Sequence, residues 1–216
     1  MKKFLLLGMA AVLAAILAGC GGGSVASTNL FGQTLSQQRS DGDVSFDPVS
    51  STFTIALATS TGNVIFGIND AVPDPNSVEF RAFLDFPLDG SNGGDAIPLS
   101  ATIVSADIEV FVSRVDFAST VPTLMDLIAY DPVAGPTSAD YLNPTPLSFR
   151  SLDFFGTDAG NFVRIDVTSL MVEAQRRGLR NFQVRFLLDF VPGAAGLVTL
   201  ADAGTGTAPL LTVEYF

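Results

Sequence analysis

The chain contains no histidine and no tryptophan, one cysteine, and only two lysines, which are its second and third residues. Without histidine there is no Ser-His-Asp triad, no HExxH zinc helix and no imidazole acid or base. Without lysine beyond residue 3 there is no Schiff-base lysine and no phosphate-loop lysine. Catalysis would have to rest on Asp, Glu, Tyr, Ser or Arg alone, so we expect the protein not to be an enzyme.

Positive charge is scarce along the rest of the chain. From residue 20 onward, nine arginines stand against 22 acidic residues. Binding to a phosphate backbone requires clustered Lys and Arg, so nucleic acid is excluded as a partner. The 216 residues are 48% apolar and only 15% charged, and a chain of this length buries enough surface to need no disulfide or metal for its core.

The N-terminus has the three parts of an export signal. Lys2 and Lys3 precede an apolar stretch, residues 4–18, that is shorter than the ~20 residues of a membrane span. The stretch ends in Leu17-Ala18-Gly19-Cys20, which holds the only cysteine of the chain. This ending resembles the lipobox of bacterial lipoproteins, which implies cleavage before Cys20 and lipid attachment to it.

The residues that follow Cys20 predict how the protein is displayed. Residues 21–23 are all glycine and the polar run beyond them is typical of a flexible tether. The residue after Cys20 is Gly21 rather than Asp, and this resembles the pattern that sorts lipoproteins to the outer membrane. We therefore expect a signal peptide over residues 1–19, a lipidated Cys20 with a tether over residues 20–44, and an exported protein anchored at the outer membrane or cell surface.

Beyond residue 44 the apolar pattern indicates β-strands. In residues 78–88 every even position is apolar, and the same period of two recurs at 106–112 and 182–190. Shorter candidate strands lie at 52–58, 63–68, 124–130, 162–167, 197–201 and 210–216. Thr168 and Gly178 predict one short inserted helix over 169–177. The fold class predicted is all-β, an antiparallel jelly-roll-like β-sandwich of about nine strands over residues 45–216.

Four segments of this region resemble motifs of the DNRLRE-type jelly-roll modules. They are FRAFLDFPL at 80–88, IVSADIEV at 103–110, DVT at 166–168 and APLLTVEY at 208–215. The resemblance runs from residue 60 to residue 216. It implies a jelly roll of the carbohydrate-binding-module type, carried by a secreted or surface protein and, in this chain, without an attached enzyme.

Two tyrosines are candidates for binding a glycan. Tyr130 and Tyr141 flank or lie within the longest Pro-rich loop, residues 131–147. Long loops in compact domains often carry function, and an exposed tyrosine ring can stack on the apolar face of a sugar. We expect these two rings to contact the ligand if the ligand is a polysaccharide.

A second candidate is a patch on the polar face of the strands. Phe83, Phe111 and Leu187 each stand among polar neighbours, and Arg81 and Arg185 lie beside them in sequence. If these strands share a sheet, the five side chains form an exposed patch for protein contacts. In the alternative, the helix, the 131–147 loop or the N-terminal arm covers the apolar residues as a second small core.

Aspartates in Gly- and Pro-containing turns are the only candidates for a cofactor site. Asp41, Asp43 and Asp47, or Asp70 and Asp74, supply the hard oxygen ligands that a structural Ca²⁺ requires. Aspartate is also common in turns because it accepts a hydrogen bond from its own backbone. Both interpretations stay open at this point.

These observations support two functions. The first is a non-catalytic lipoprotein domain of the surface or outer membrane that binds glycan or another surface polymer. The alternative is a structural or assembly protein that uses the sandwich for protein–protein contacts. The partners expected are therefore the membrane, through the lipid anchor, and either a polysaccharide or a surface protein.

Overall fold

The computed structural model describes residues 28–204 and 206–216. The predicted signal peptide, Cys20 and the start of the tether lie outside the described residues. Strands dominate the described part. They are β1 Leu30–Leu35, β2 Gly42–Asp47, β3 Thr52–Leu57, β4 Asn63–Ile68, β5 Glu79–Pro87, β6 Ile103–Asp116, β7 Thr120–Ile128, β8 Ser148–Phe155, β9 Asn161–Asp166, β10 Asn181–Leu188, β11 Gly196–Ala201 and β12 Leu210–Tyr215.

Three short helices connect these strands within the described residues. They are α1 Ala58–Thr61, α2 Ser138–Leu142 and α3 Thr168–Arg176, together with one 3₁₀ turn at Gly156–Asp158. Helix α2 begins with a capping box, in which Thr137 and Asp140 each bond the other's backbone N–H. The short helix predicted at 169–177 is confirmed as α3, although Val167 rather than Thr168 precedes its first turn.

All strand pairs are antiparallel, and the main path runs β1-β12-β6-β11-β4-β5-β10-β7-β8. Strand β2 pairs with β3 and β5, and β9 pairs with β6. The sheet curls so that alternate side chains from both halves fill one core. Phe66 from β4 stacks on Phe186 from β10 with ring centroids 5.4 Å apart. The prediction of an antiparallel all-β sandwich is confirmed.

A second, smaller cluster packs on the opposite face of β5. We call it the outer core, and its buried members are Val44, Phe83, Ile128, Tyr130 and Tyr141. Phe83 lies between Ala82 and Leu84, whose side chains point into the main core, so the alternation of the strand places it on the other side. The loop of residues 131–147 and the hairpin of β2 and β3 cover this face.

The expected tether over residues 20–44 is wrong for its described part. Strand β1 pairs along its whole length with β12, and β2 is inserted between β3 and β5. Between the two strands Ser40 and Asp41 are buried. Backbone pairing and polar hydrogen bonds hold this segment in the sandwich, so the domain includes residues 30–44. No helix in the described part of the chain is long and apolar enough to span a membrane.

Gly67 is a position at which the pairing of β4 with β11 requires glycine. Its φ is +110°, and an added Cβ would overlap the carbonyl oxygen of Gly196 on the neighbouring strand. We expect Gly67→Ala to lower the free energy of unfolding by about 3 kcal/mol, from the unfavourable φ and the overlap together. Gly206→Ala is the matched control, since nothing lies within 4 Å of its added Cβ. Equal stability of the two variants in urea unfolding would contradict this account of the pairing.

Candidate functional site

A groove of about 600 Å³ opens on the outer face of β7 and β10, beside the end of the 131–147 loop. Its rim carries three large apolar side chains that solvent reaches. Phe190 is 78% exposed, Phe149 is 63% exposed and Leu142 is 61% exposed. The remaining lining residues are Arg81, Leu124, Asp126, Asn143, Pro144, Pro146, Ser151, Arg185, Leu187 and Asp189.

The floor of the groove contains a buried ion pair. Arg185 on β10 lies opposite Asp126 on β7 in the register of the sheet. Its Nε and Nη2 donate to Asp126 Oδ2 at 3.1 and 2.5 Å, and both side chains are at least 95% buried. A buried charge is tolerated where it is paired and hydrogen-bonded, as this one is.

The same guanidinium fixes the loop above it. Nη1 of Arg185 donates to the carbonyl oxygens of Asp140, Tyr141 and Asn143 at 2.7, 3.2 and 3.0 Å. These carbonyls lie at the end of helix α2, where the last turn of a helix leaves its acceptors without intrahelical partners. Arg185 therefore links the sheet to the segment that forms one wall of the groove.

Arg81 holds the same segment from β5. Its Nε donates to Glu79 Oε1 at 2.7 Å and its Nη1 donates to the Tyr141 carbonyl oxygen at 2.6 Å. The guanidinium carbon lies 4.1 Å from the centroid of the Tyr141 ring, which is a favourable cation–π distance. The two arginines predicted as the rim of a patch thus act beneath the loop and line the groove from within.

The two predicted glycan-binding tyrosines are buried, and that assignment is wrong for the described conformation. Tyr130 is 7% exposed and Tyr141 is 4% exposed. The Tyr130 hydroxyl donates to the Ser40 carbonyl oxygen at 3.1 Å, and its ring packs edge-on against Phe83 at 5.7 Å. Burial raises the pKa of both hydroxyls above its ordinary value. Neither ring offers a free face to a sugar.

The predicted exposed patch is also not formed. Phe83 and Leu187 are buried, because the 131–147 loop with helix α2 folds back over β5 and β10. Phe111 lies on β6, which is not adjacent to either strand, and packs against Phe162 at 5.1 Å. Of the two alternatives, the second small core is the one observed for Phe83. Leu187 lines the groove floor.

The aspartates considered for calcium serve other purposes. Each of Asp47, Asp70 and Asp74 accepts a hydrogen bond from the backbone N–H two residues further along, at 2.8, 3.0 and 2.7 Å, as aspartates in turns commonly do. Asp41 and Asp43 are buried instead. Among the described residues no group of three or more His, Cys, Asp or Glu side chains is arranged to hold a metal ion.

Four aspartates that do not line the groove are buried. They are Asp41, Asp43, Asp85 and Asp202. Burial raises the pKa of Asp43 to about 7, although the backbone N–H of Ile65 opposes the rise. Burial also raises the pKa of Asp85, and hydrogen bonds from Asn181 and Ser40 oppose that rise. These carboxyl groups favour the protonated form more than exposed aspartates do.

The groove residues that the sequence did not reveal are Phe149 and Phe190. Strand β8 carries a phenylalanine on each face, Phe149 outward and Phe154 inward, so its alternation is ambiguous. Phe190 continues the apolar alternation of β10 in sequence, but the strand ends at Leu188 and leaves the ring exposed. No family model matches this chain, and no curated protein sequence matches it significantly.

Proposed function

We propose that this protein is a non-catalytic, lipid-anchored domain of the cell surface or outer membrane that binds an apolar segment of a partner protein in the groove. The observation that carries the proposal is the groove itself, with Phe149, Phe190 and Leu142 exposed around it. Soluble domains rarely expose apolar side chains side by side unless the surface binds something. This corresponds to the assembly hypothesis drawn from the sequence.

The polar groups of the floor support a protein partner over a polysaccharide. Sugar hydroxyls require several free donors and acceptors, and every nitrogen of the Arg185 guanidinium already donates to Asp126 or to a backbone carbonyl. A glycan would therefore have to rely on the remaining polar groups of the lining. Apolar contacts at the rim suit leucine, proline or aromatic side chains of another chain.

The described residues that line the groove form no catalytic constellation, which supports a binding role. The chain has no histidine. The carboxyl groups whose pKa burial raises most clearly, Asp41 and Asp43, do not line the groove. Asp126, which does line it, is held by Arg185 at 2.5 Å. An active site normally places its perturbed acids and bases within the substrate cleft.

The groove is tested by removing its apolar rim. In the double variant Phe149→Ser and Phe190→Ser, we expect the protein to lose the complex that the wild type forms in gently solubilised cell envelopes, as measured by sedimentation. Because both rings are exposed, the melting temperature should change by less than about 2 °C. Phe31→Ser is the control, since Phe31 is 66% exposed on the strand at the other end of the sheet path.

A glycan is the second candidate, favoured by the two exposed phenylalanine rings at the groove, which present flat apolar faces. Glycan binding predicts a different result for the same double variant. The double variant would then lose retention on immobilised cell-surface polysaccharide, while the sedimentation of the envelope complex stayed as in the wild type. Loss of neither property would contradict both functions of the groove.

Membrane attachment is proposed to depend on Cys20. Two or more acyl chains hold a protein firmly, at ~0.8 kcal/mol for each buried CH₂ group. We expect Cys20→Ser to accumulate as unprocessed precursor, detected by its larger mass and its intact N-terminus. A Cys20→Ser protein that is still cleaved after Gly19 and still partitions into detergent with membranes would contradict the lipoprotein assignment.

A further inference from the structure

The segment of residues 36–41, which we call the N-terminal arm, crosses the sandwich between β1 and β2 and is tied to several elements. The Gln37 N–H donates to the Asp85 carbonyl oxygen at 2.7 Å, and the Ala58 N–H donates to the Asp41 carbonyl oxygen at 3.0 Å. The side chain of Gln38 donates to the carbonyl oxygen of Asp202 at 2.6 Å. The arm therefore connects β5, α1 and the end of β11.

Two buried carboxyl groups meet at this connection. Asp41 Oδ1 accepts the backbone N–H of Asp85 at 2.6 Å, and Asp202 Oδ1 accepts the hydroxyl of Ser36 at 3.3 Å. The Oδ2 atom of each carboxyl group is buried and has no hydrogen-bond partner. The two carboxyl groups lie within hydrogen-bonding reach of each other. Each carboxyl group thus has one buried oxygen without a partner and a second carboxyl group close by.

The described residues supply no ion-pair partner for these two carboxyl groups. None of the ion pairs formed by the described residues includes Asp41 or Asp202. Two buried carboxylates side by side, without a counter-cation, are strongly unfavourable. One proton placed between them removes one charge and gives both Oδ2 atoms a hydrogen bond.

We propose that Asp41 donates a shared proton from its Oδ2 to Oδ2 of Asp202, and that this hydrogen bond is a pH-sensitive latch that holds the N-terminal arm on the sandwich. The hydrogen bond between the two groups raises the pKa of Asp41 and lowers that of Asp202, so Asp41 is the donor. The two Oδ1 atoms already accept the Asp85 N–H and the Ser36 hydroxyl, which leaves both Oδ2 atoms for this bond. The latch closes when the proton is bound and weakens when the proton is lost.

The direction of the pH dependence follows from the surroundings. Burial, and then the charge of Asp202, raise the pKa of Asp41 well above its ordinary value, and burial raises the pKa of Asp202 to about 6. The pKa values of Asp41 and Asp202 in the folded protein therefore exceed those in the unfolded chain. The stabilisation is therefore complete below pH ~4 and is lost as the pH rises through 6 and beyond.

The ionisable groups that face the pair also favour loss of the latch as the pH rises. They are Asp85 from β5, whose N–H bonds Asp41, and Tyr130 after β7, whose hydroxyl is affected by the charges of Asp41 and Asp202; neither is a cation. Arg39 on the arm is exposed, and its positive charge lowers the pKa of Asp85. Deprotonation of the pair thus adds negative charge to a region that already holds other acids.

The test is hydrogen exchange of the purified full chain at pH 5 and pH 8, corrected for the intrinsic exchange rate. The reporters are the amides of Asp85 and Ala58, which donate to Asp41. We expect their protection factors to fall at least tenfold at pH 8 in the wild type, since each pKa unit corresponds to a factor of about ten. Unchanged protection would overturn the proposal.

Asp41→Asn separates the latch from other titrations. Its amide keeps an oxygen for the Asp85 N–H and supplies an N–H to Asp202 at every pH, so the fall in protection between pH 5 and pH 8 should shrink to the part that other buried acids such as Asp43 cause. The control Asp43→Asn removes a buried acid that is not part of the pair and should retain the part of the pH dependence that the latch causes. A pH dependence in Asp41→Asn equal to that of the wild type would overturn the latch.

A second measurement applies if Asp41→Asn does not fold. Carbon-13 NMR of the aspartate carboxyl groups in the wild type follows the protonation of the pair directly. We expect the pair to retain a proton above pH 5.5. Titration of both Asp41 and Asp202 near pH 4 would show that no proton is shared, and would overturn the proposal whatever the variant does.

Discussion

Replacement of Arg185 by methionine is expected to lower the free energy of unfolding by about 3–5 kcal/mol, because it leaves the buried carboxylate of Asp126 without its partner. The same change removes one donor from each of three carbonyl oxygens of the 140–143 segment. Methionine retains much of the aliphatic volume, so the loss reports on the hydrogen bonds more than on packing. Urea unfolding of Arg185→Met and the wild type measures this loss in the free energy of unfolding.

The control for Arg185 is an ion pair at the surface. Arg164 bonds Asp107 on the adjacent strand β6, but the Arg164 side chain is 67% exposed. Exposed pairs of this kind contribute at most about 1 kcal/mol, so Arg164→Met should be close to the wild type. If the two methionine variants unfold at the same urea concentration, Arg185 is not what holds the wall of the groove.

The second large effect is expected at Phe83. Truncation of a fully buried phenylalanine typically costs about 3–5 kcal/mol, and Phe83 has no exposed surface. We expect Phe83→Ala to lose this amount, because the ring supports Tyr130 at 5.7 Å and Val44 in the outer core. The loss should appear in thermal unfolding as a single transition at a lower temperature.

Phe111→Ala is the matched comparison, since both phenylalanines were predicted to share one exposed patch. Phe111 is half-buried against the exposed ring of Phe162, so its truncation should cost about 1 kcal/mol. A loss at Phe83 no larger than the loss at Phe111 would mean that the outer core is not a packed unit.

Most of the sandwich could be predicted because strands with one buried face alternate with a period of two. Residues 78–88 and 182–190 have this pattern, and they form β5 and β10. Strand β1 lacks this pattern, whereas β2 alternates at Val44 and Phe46 but is buried on both faces. Their buried residues include Thr34, Asp43 and Ser45, so polar side chains occupy positions where the pattern requires apolar ones.

The candidate site was harder to predict, because its residues depend on where one loop folds. Tyr141 is in a Pro-rich segment that is typical of an exposed loop, but a capping box starts helix α2 there and Arg185 binds its end. The capping box depends on a short polar motif, and the bonds from Arg185 join residues that are distant in sequence. The sequence therefore singled out Arg81, Arg185 and Leu187, which line the groove, but assigned the wrong exposed rings.

The buried acids show the same limitation for electrostatics. Asp41 and Asp202 are 161 positions apart, and only the pairing of β1 with β12 and of β11 with β4 brings their segments together. In sequence Asp41 is one of several aspartates near a turn. Its burial, and the raised pKa that burial causes, are properties of the folded chain alone.

We propose that the groove beside Phe190 is the surface that contacts a partner protein. The most direct measurement is site-specific photocrosslinking in intact cells, with the photoreactive residue at position 190 or 149 and, as control, at position 31. We predict a discrete crosslinked protein species from positions 190 and 149 and none from position 31. Crosslinks of equal yield from all three positions, or none from 190 and 149, would contradict the claim.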